Sequence, residues 1–178
     1  MNLNVYKSKE NIYYYPTNEF IFSNIFSEIF ENNIYERYFE IEDGDVVLDL
    51  GAYVGLFALK ALSSGAKEVY SFEFDDESFK CLRLNTLSHI ITKKMKIKKT
   101  FVSSNSFNAY IKNIDADFIK IDIEGNEWDL FSDVEFRKYI LNCKKITGEI
   151  HFSYDWDRRN ILHEELLSFY NYAKDFFY

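Results

Sequence analysis

Apolar residues recur at helical spacing through Phe20, Ile21, Ile25, Phe26, Ile29 and Phe30, and Asn18-Glu19 is placed to cap that segment. Residues 1–43 therefore read as a helical preface. After a turn at Glu42-Asp43-Gly44-Asp45 the period changes to short apolar runs, each followed by a helical stretch. The runs are VVLDL (Val46 to Leu50), EVYSFEF (Glu68 to Phe74), a strand near Met95 to Val102, DFIKIDI (Asp117 to Ile123) and KKITGEIHF (Lys144 to Phe152). Helices are expected through Phe57, Leu59 and Leu62, through Phe79, Leu82 and Leu87, around Phe107 to Ile111, through Trp128, Phe131 and Val134, and from Asp157 to Ala173. An apolar run without alternation suits a parallel strand buried on both faces. Strands alternating with helices predict a doubly wound α/β fold, with helices on both faces of a mainly parallel sheet and a ligand crevice beyond the carboxyl ends of the strands. No repeat or low-complexity linker interrupts it, so residues 1–178 read as one domain, a preface followed by a core over 44–178.

Composition narrows the partners. A net charge of -8 gives no surplus of Lys and Arg for displacing counterions, so neither nucleic acid nor an anionic membrane surface is expected. No apolar run approaches a membrane span, and MNLNVYKSKENIYYY lacks a signal peptide's apolar segment. Cys81 and Cys143 form no CxxC pair, which suggests a reducing compartment; the expected location is cytoplasmic. The aromatic share of 19%, with Gly only 6, reads as codon bias rather than as stacking platforms, and it makes each glycine more informative.

The first core strand ends in Asp49-Leu50-Gly51-Ala52-Tyr53-Val54-Gly55 and runs into a helix. Gly51 and Gly55 would let a nucleotide-like ligand approach the backbone. The dinucleotide fingerprint G-x-G-x-x-G fails at Tyr53 and Leu56, which counts against NAD, and no P-loop exists in the chain. Glu73 closes the next strand, about 20 residues beyond the turn, where a carboxylate accepts both hydroxyls of a ribose. Together these features ask for an adenosine without a pyrophosphate.

Five stretches, EIFENNIY (Glu28 to Tyr35), GDVVLDLGAYVGLFAL (Gly44 to Leu59), VYSFEFDDESF (Val69 to Phe79), DFIKIDIEGNE (Asp117 to Glu127) and GEIH (Gly148 to His151), resemble the FkbM-type S-adenosylmethionine-dependent methyltransferases. The resemblance implies a Rossmann-like class I methyltransferase fold with strand order 3-2-1-4-5, a shortened C-terminus, and methyl transfer to a hydroxyl of a sugar or other metabolite. It places Gly51 and Gly55 at the methionine portion of S-adenosyl-L-methionine, Glu73 at its ribose and the adenine near Val102 to Ser104. The expected cofactor-binding set is Asp49, Gly51, Ala52, Tyr53, Gly55, Glu73, Phe74, Ser103 and Asp122. Tyr53 stands where the family usually carries Asn, and a stretch most relatives have before DFIKIDIEG is absent. A non-catalytic cofactor-binding module of the same fold is the alternative.

Asp122-Ile123-Glu124 and Glu149-Ile150-His151 end the fourth and fifth strands, and residues i and i+2 of a strand share a face. Asp122, Glu124, Glu149 and His151 are thus the catalytic candidates at the crevice. A hydroxyl must lose its proton during methyl transfer; His151 has a suitable resting pKa for the base, and Asp122 suits a substrate-holding acid. Helix capping is the structural alternative for Asp122 and Glu124, and a satisfied core histidine for His151. These four are plausible ligand types, yet no recognised spacing joins them, so no metal is expected, and DIEGNEWD is not a calcium loop. TKKMKIKK (Thr92 to Lys99) reads as a strand with solvated edges, Cys81 as buried filling and Tyr35 as part of a lid. Tyr154, Trp156, Arg158 and Arg159 would wall the pocket of a small-molecule or glycan acceptor. Nothing in the sequence opposes a homo-oligomer.

Overall fold

The computed structural model describes residues 3–8, 11–16 and 19–151. Its centre is a five-stranded parallel sheet of β3 (Val46–Leu50), β4 (Glu68–Glu73), β5 (Met95–Lys99), β6 (Phe118–Ile121) and β7 (Lys145–Gly148), in the order β5-β4-β3-β6-β7. Counted from the first core strand, that order is 3-2-1-4-5. β6 is buried along its whole length and β3 along all but Val46, as expected of central strands with both faces covered. Two charges interrupt this apolar centre, and they lie side by side: Asp49 on β3 is in register with Lys120 on β6. The helices α2 (Leu56–Ser63), α3 (Asp76–Asn85), α4 (Leu87–Ile91), α5 (Ser104–Ser106), α6 (Glu127–Ser132) and α7 (Val134–Leu141) connect the strands. Residues 107–111 add one π-helical turn after α5.

The preface is only partly helical. α1 (Glu19–Phe30) lies where the periodicity puts it, but an antiparallel hairpin precedes it, β1 (Asn4–Lys7) with β2 (Ile12–Tyr15). Tyr13 and Tyr15 of β2 are buried while Ile12 is exposed, so the strand alternates with period two against α1. Tyr15 stacks on Phe22 with ring centroids 4.5 Å apart, and Tyr6 lies 5.1 Å from both Phe22 and Phe26. The aromatic excess ascribed to codon bias thus builds the hydrophobic joint that holds hairpin and helix together. The helix read through Phe79, Leu82 and Leu87 is two helices, broken at Thr86.

β7 is shorter than KKITGEIHF suggests. β6 and β7 end at Ile121 and Gly148, so both polar triplets lie just beyond the strands rather than on them. The final helix expected over 157–173 and the wall of Tyr154, Trp156, Arg158 and Arg159 lie outside the described residues. No helix among the described residues is long and apolar enough to cross a membrane.

Candidate active site

A cleft of about 450 Å³ opens beyond the carboxyl ends of the strands. At its centre, Gly51 N and Ala52 N both donate to Phe72 O at 3.0 Å, turning the chain out of β3. Gly51 has φ +82, and a Cβ there would lie 1.7 Å from Asp122 O; Gly55 has φ +88, and its Cβ would lie 2.7 Å from Leu82 Cδ1. Both glycines are therefore required by the protein's own close packing, whatever ligand approaches them. Tyr53 adopts φ +49, a left-handed conformation that costs a side-chain-bearing residue about 1–2 kcal/mol. Its N–H donates to Glu73 Oε2 at 2.8 Å, and Asp75 N donates to Oε1 at 2.7 Å. Glu73 is 6% exposed, and burial raises its pKa above the usual carboxylate value although the backbone N–H groups pull it down. Phe74 and Phe101 meet edge to face at 5.7 Å and stay half exposed at the mouth, forming an apolar clamp.

At the end opposite Glu73 and Phe74, β6 and β7 deliver Asp122, Glu149 and His151. Tyr35, on a 3₁₀ turn (Ile34–Glu36), donates its one hydroxyl proton toward Asp122 Oδ2 at 2.8 Å and Glu149 Oε1 at 3.3 Å. Burial drives that hydroxyl's pKa far above the ordinary tyrosine value, with the Asp122 and Glu149 charges adding to it. The fully buried Glu127 carboxylate lies 3.0 Å from His151 Nδ1 and also accepts from Ile123 N at 3.0 Å. Burial pulls the imidazole pKa down, but Glu127, Glu124 and Asp122 outweigh it and raise the value above that of a free imidazole. α1 roofs the cleft with Ile21, Ile25 and Glu28, whose carboxyl pKa is raised by burial and by the Glu149 and Asp122 charges.

A family model for the methyltransferase FkbM domain matches residues 88–176, half of the chain. The chain belongs to the FkbM methyltransferase family. Solved structures share the fold at low identity. Methyltransferase FkbM from Methylobacillus flagellatus KT is 19% identical with a TM-score of 0.55, over 65% of this chain and 36% of its own. Precorrin-6y C5,15-methyltransferase from Geobacter metallireducens GS-15 is 13% identical at a TM-score of 0.52, over 93% and 76%. Trm5b from Pyrococcus abyssi is 14% identical at 0.52, over 97% and 47%. The chain thus spans less than half the length of the FkbM protein and of Trm5b. A search of the curated proteins found no match.

In this FkbM-family chain the cleft gathers Gly51, Ala52, Tyr53, Glu73, Phe74, Asp122, Glu124, Glu149 and His151 from the expected set. Asp49, Gly55 and Ser103 are not among its lining residues. Asp49 is fully buried, with Ser71 Oγ donating to it at 3.2 Å and Lys120 Nζ 3.4 Å away, so it is a counter-ion inside the sheet. Ser103 caps α5 through a reciprocal pair of bonds with Ser106. Asp122 and Glu124 do not cap α6; Glu127 accepts from Ile123 N and Gly125 N in the turn before it, and Glu124, at φ +55, turns outward with a side chain 78% exposed. Sequence reading missed Glu127 and Lys120. Lys120 carried a signal, since a charge inside the apolar run FIKI needs a partner.

Proposed function

We propose that the chain is an S-adenosylmethionine-dependent methyltransferase acting on a hydroxyl oxygen of a small molecule or glycan. The carrying observation is one cleft with a carboxylate and aromatic clamp at one end and the Asp122, Glu149 and His151 group at the other. The residues fit the cofactor. Each Glu73 oxygen is fixed from inside by a backbone N–H and keeps lone-pair capacity for a ribose hydroxyl, while Phe74 and Phe101 suit the faces of an adenine. The carboxylates at the far end suit a cationic sulfonium. Held there, S-adenosylmethionine would supply an electrophilic methyl group, the C–S bond pair staying with sulfur when the acceptor oxygen takes the methyl. Asp122, Glu149 and His151 hold the acceptor hydroxyl and take up its proton; Tyr35 fixes one oxygen of each carboxylate and Glu127 fixes the ring. The failure of the dinucleotide fingerprint at Tyr53 and Leu56 supports a nucleoside cofactor over NAD, the sequence balance supports acceptors other than nucleic acid or membrane, and the unpaired Cys81 and Cys143 support a cytoplasmic setting.

S-adenosylhomocysteine at a hundred times its dissociation constant should stabilise the protein by ~2.7 kcal/mol in a thermal-shift experiment, with no shift from NAD. Stabilisation by NAD alone would reverse the cofactor assignment. Glu73→Ala should weaken S-adenosylhomocysteine binding by roughly 1.5–3 kcal/mol in calorimetry, because charge-assisted bonds to the ribose are lost. The same change strips the Tyr53 and Asp75 N–H groups of their acceptor, so its melting temperature should fall as well. Undiminished affinity would show that the ribose sits elsewhere.

A further inference from the structure

We propose that Asp122, Glu149 and His151 bind one divalent cation of the Mn²⁺ type, on which two neighbouring oxygens of the acceptor are held for methylation; the acceptor half of this rests on the O-methylation reading above. One ligand-type atom from each of the three residues lies within 4.8 Å of the others. Their orientation is set from outside the group. Tyr35 engages Asp122 Oδ2 and Glu149 Oε1, which leaves Asp122 Oδ1 and Glu149 Oε2 as the oxygens nearest His151. Glu127, fully buried, holds Nδ1, so the ring presents Nε2 to those two oxygens. A histidine whose far nitrogen is fixed by a carboxylate is the usual arrangement behind a metal-bound imidazole.

The spacing separates a cation site from a hydrogen-bonded cluster. Nε2 stands 3.8 Å from Asp122 Oδ1 and 4.0 Å from Glu149 Oε2, beyond hydrogen-bond reach of either. Donors bound at about 2.1 Å to a common ion lie about 3.0 Å apart at a right angle, so a contraction of about 1 Å in the two Nε2 distances, and of no more than about 2 Å between the carboxylate oxygens, closes the group on a cation. Charge favours that contraction. Glu28 and Glu124 add to the two carboxylates in the cleft, and the nearest lysine, Lys120, is 3.5 Å from Asp122 but shared with buried Asp49 and with Gly51 O. Two carboxylates and one imidazole form a mixed oxygen and nitrogen set that suits Mn²⁺, and three protein ligands leave three octahedral positions open. An acceptor with vicinal oxygens, such as a sugar diol, fills two of them. The three residues then hold the acceptor hydroxyl through the ion, and its proton passes to water in the open cleft in place of direct uptake by them.

Mn²⁺ titrated into the full chain without cofactor, with the free ion followed by electron paramagnetic resonance, tests the site. One Mn²⁺ per chain is expected, with His151→Ala and Glu149→Gln each weakening binding at least about 10-fold. Glu149 is half exposed, so Glu149→Gln keeps the test open should His151→Ala melt early. No Mn²⁺ retained at millimolar concentration, or retention unchanged in both variants, overturns the proposal. S-adenosylhomocysteine stabilisation measured on the same samples separates the two readings: stabilisation without Mn²⁺ retention removes the cation site alone, and Mn²⁺ retention without stabilisation upholds the site while removing the cofactor assignment.

Discussion

His151→Ala is expected to lower methyl transfer by about 10²–10⁴-fold while leaving S-adenosylhomocysteine affinity within a factor of a few. The asymmetry follows from the cleft's layout. Glu73, Phe74 and Phe101 stand at one end, and His151 at the other against Asp122 and Glu149. Deleting the ring removes Nε2, the nitrogen that faces Asp122 and Glu149, and it leaves Glu127 buried without its imidazole partner. Some stability is lost with that contact, so turnover must be compared at a temperature where both proteins are folded. Single-turnover rates with saturating cofactor, and affinity by calorimetry, check the split between kcat and binding. Equal loss of affinity would place the ring at the cofactor, and full turnover would make the strand-end group structural.

The sheet was legible because its strands are short apolar runs at regular intervals, and physics leaves few alternatives for such runs once helices separate them. The hairpin was not. Ile12 to Tyr15 is only four residues long, and the stronger helical period that begins at Phe20 absorbed it. At the site, sequence found the turn but not the contact beneath it: Gly51 is demanded by the Asp122 carbonyl, a contact between β3 and the end of β6 that spacing along the chain does not express. Asp49 was misplaced for a related cause, since a strand residue's face depends on its neighbours in the sheet. Glu127 was invisible because a carboxylate at the first position of a helix is ordinary by the helix dipole alone, and only the fold brings His151 to it.

Lys120→Met is expected to destabilise the protein by about 3–5 kcal/mol at neutral pH, because it leaves Asp49 buried and unpaired. Burial already lifts the Asp49 pKa above the usual range, and Lys120 followed by Ser71 pulls it back, so removing the lysine lifts it further. A carboxyl with a raised folded pKa holds its proton in the folded state at pH values where the unfolded chain has released it. Stability from this group is therefore present below the ordinary aspartate value and falls as pH rises toward the folded one. Lys120→Met should accordingly lose less stability near pH 5 than near pH 8 when unfolding is followed in urea. Asp49→Asn combined with Lys120→Met removes both charges and should recover most of the loss and of the added pH dependence, as expected for a coupled pair. A loss below about 1 kcal/mol in the single variant would show that Asp49 is not held as a charge by Lys120. Lys120 also donates to Gly51 O at 2.5 Å and lies 3.5 Å from Asp122, so the buried pair braces the turn after β3 against the Asp122 carboxylate beside it. The double variant, though refolded, should thus bind S-adenosylhomocysteine more weakly than the parent, which assigns Asp49 a role in the cleft at one remove through the lysine it holds.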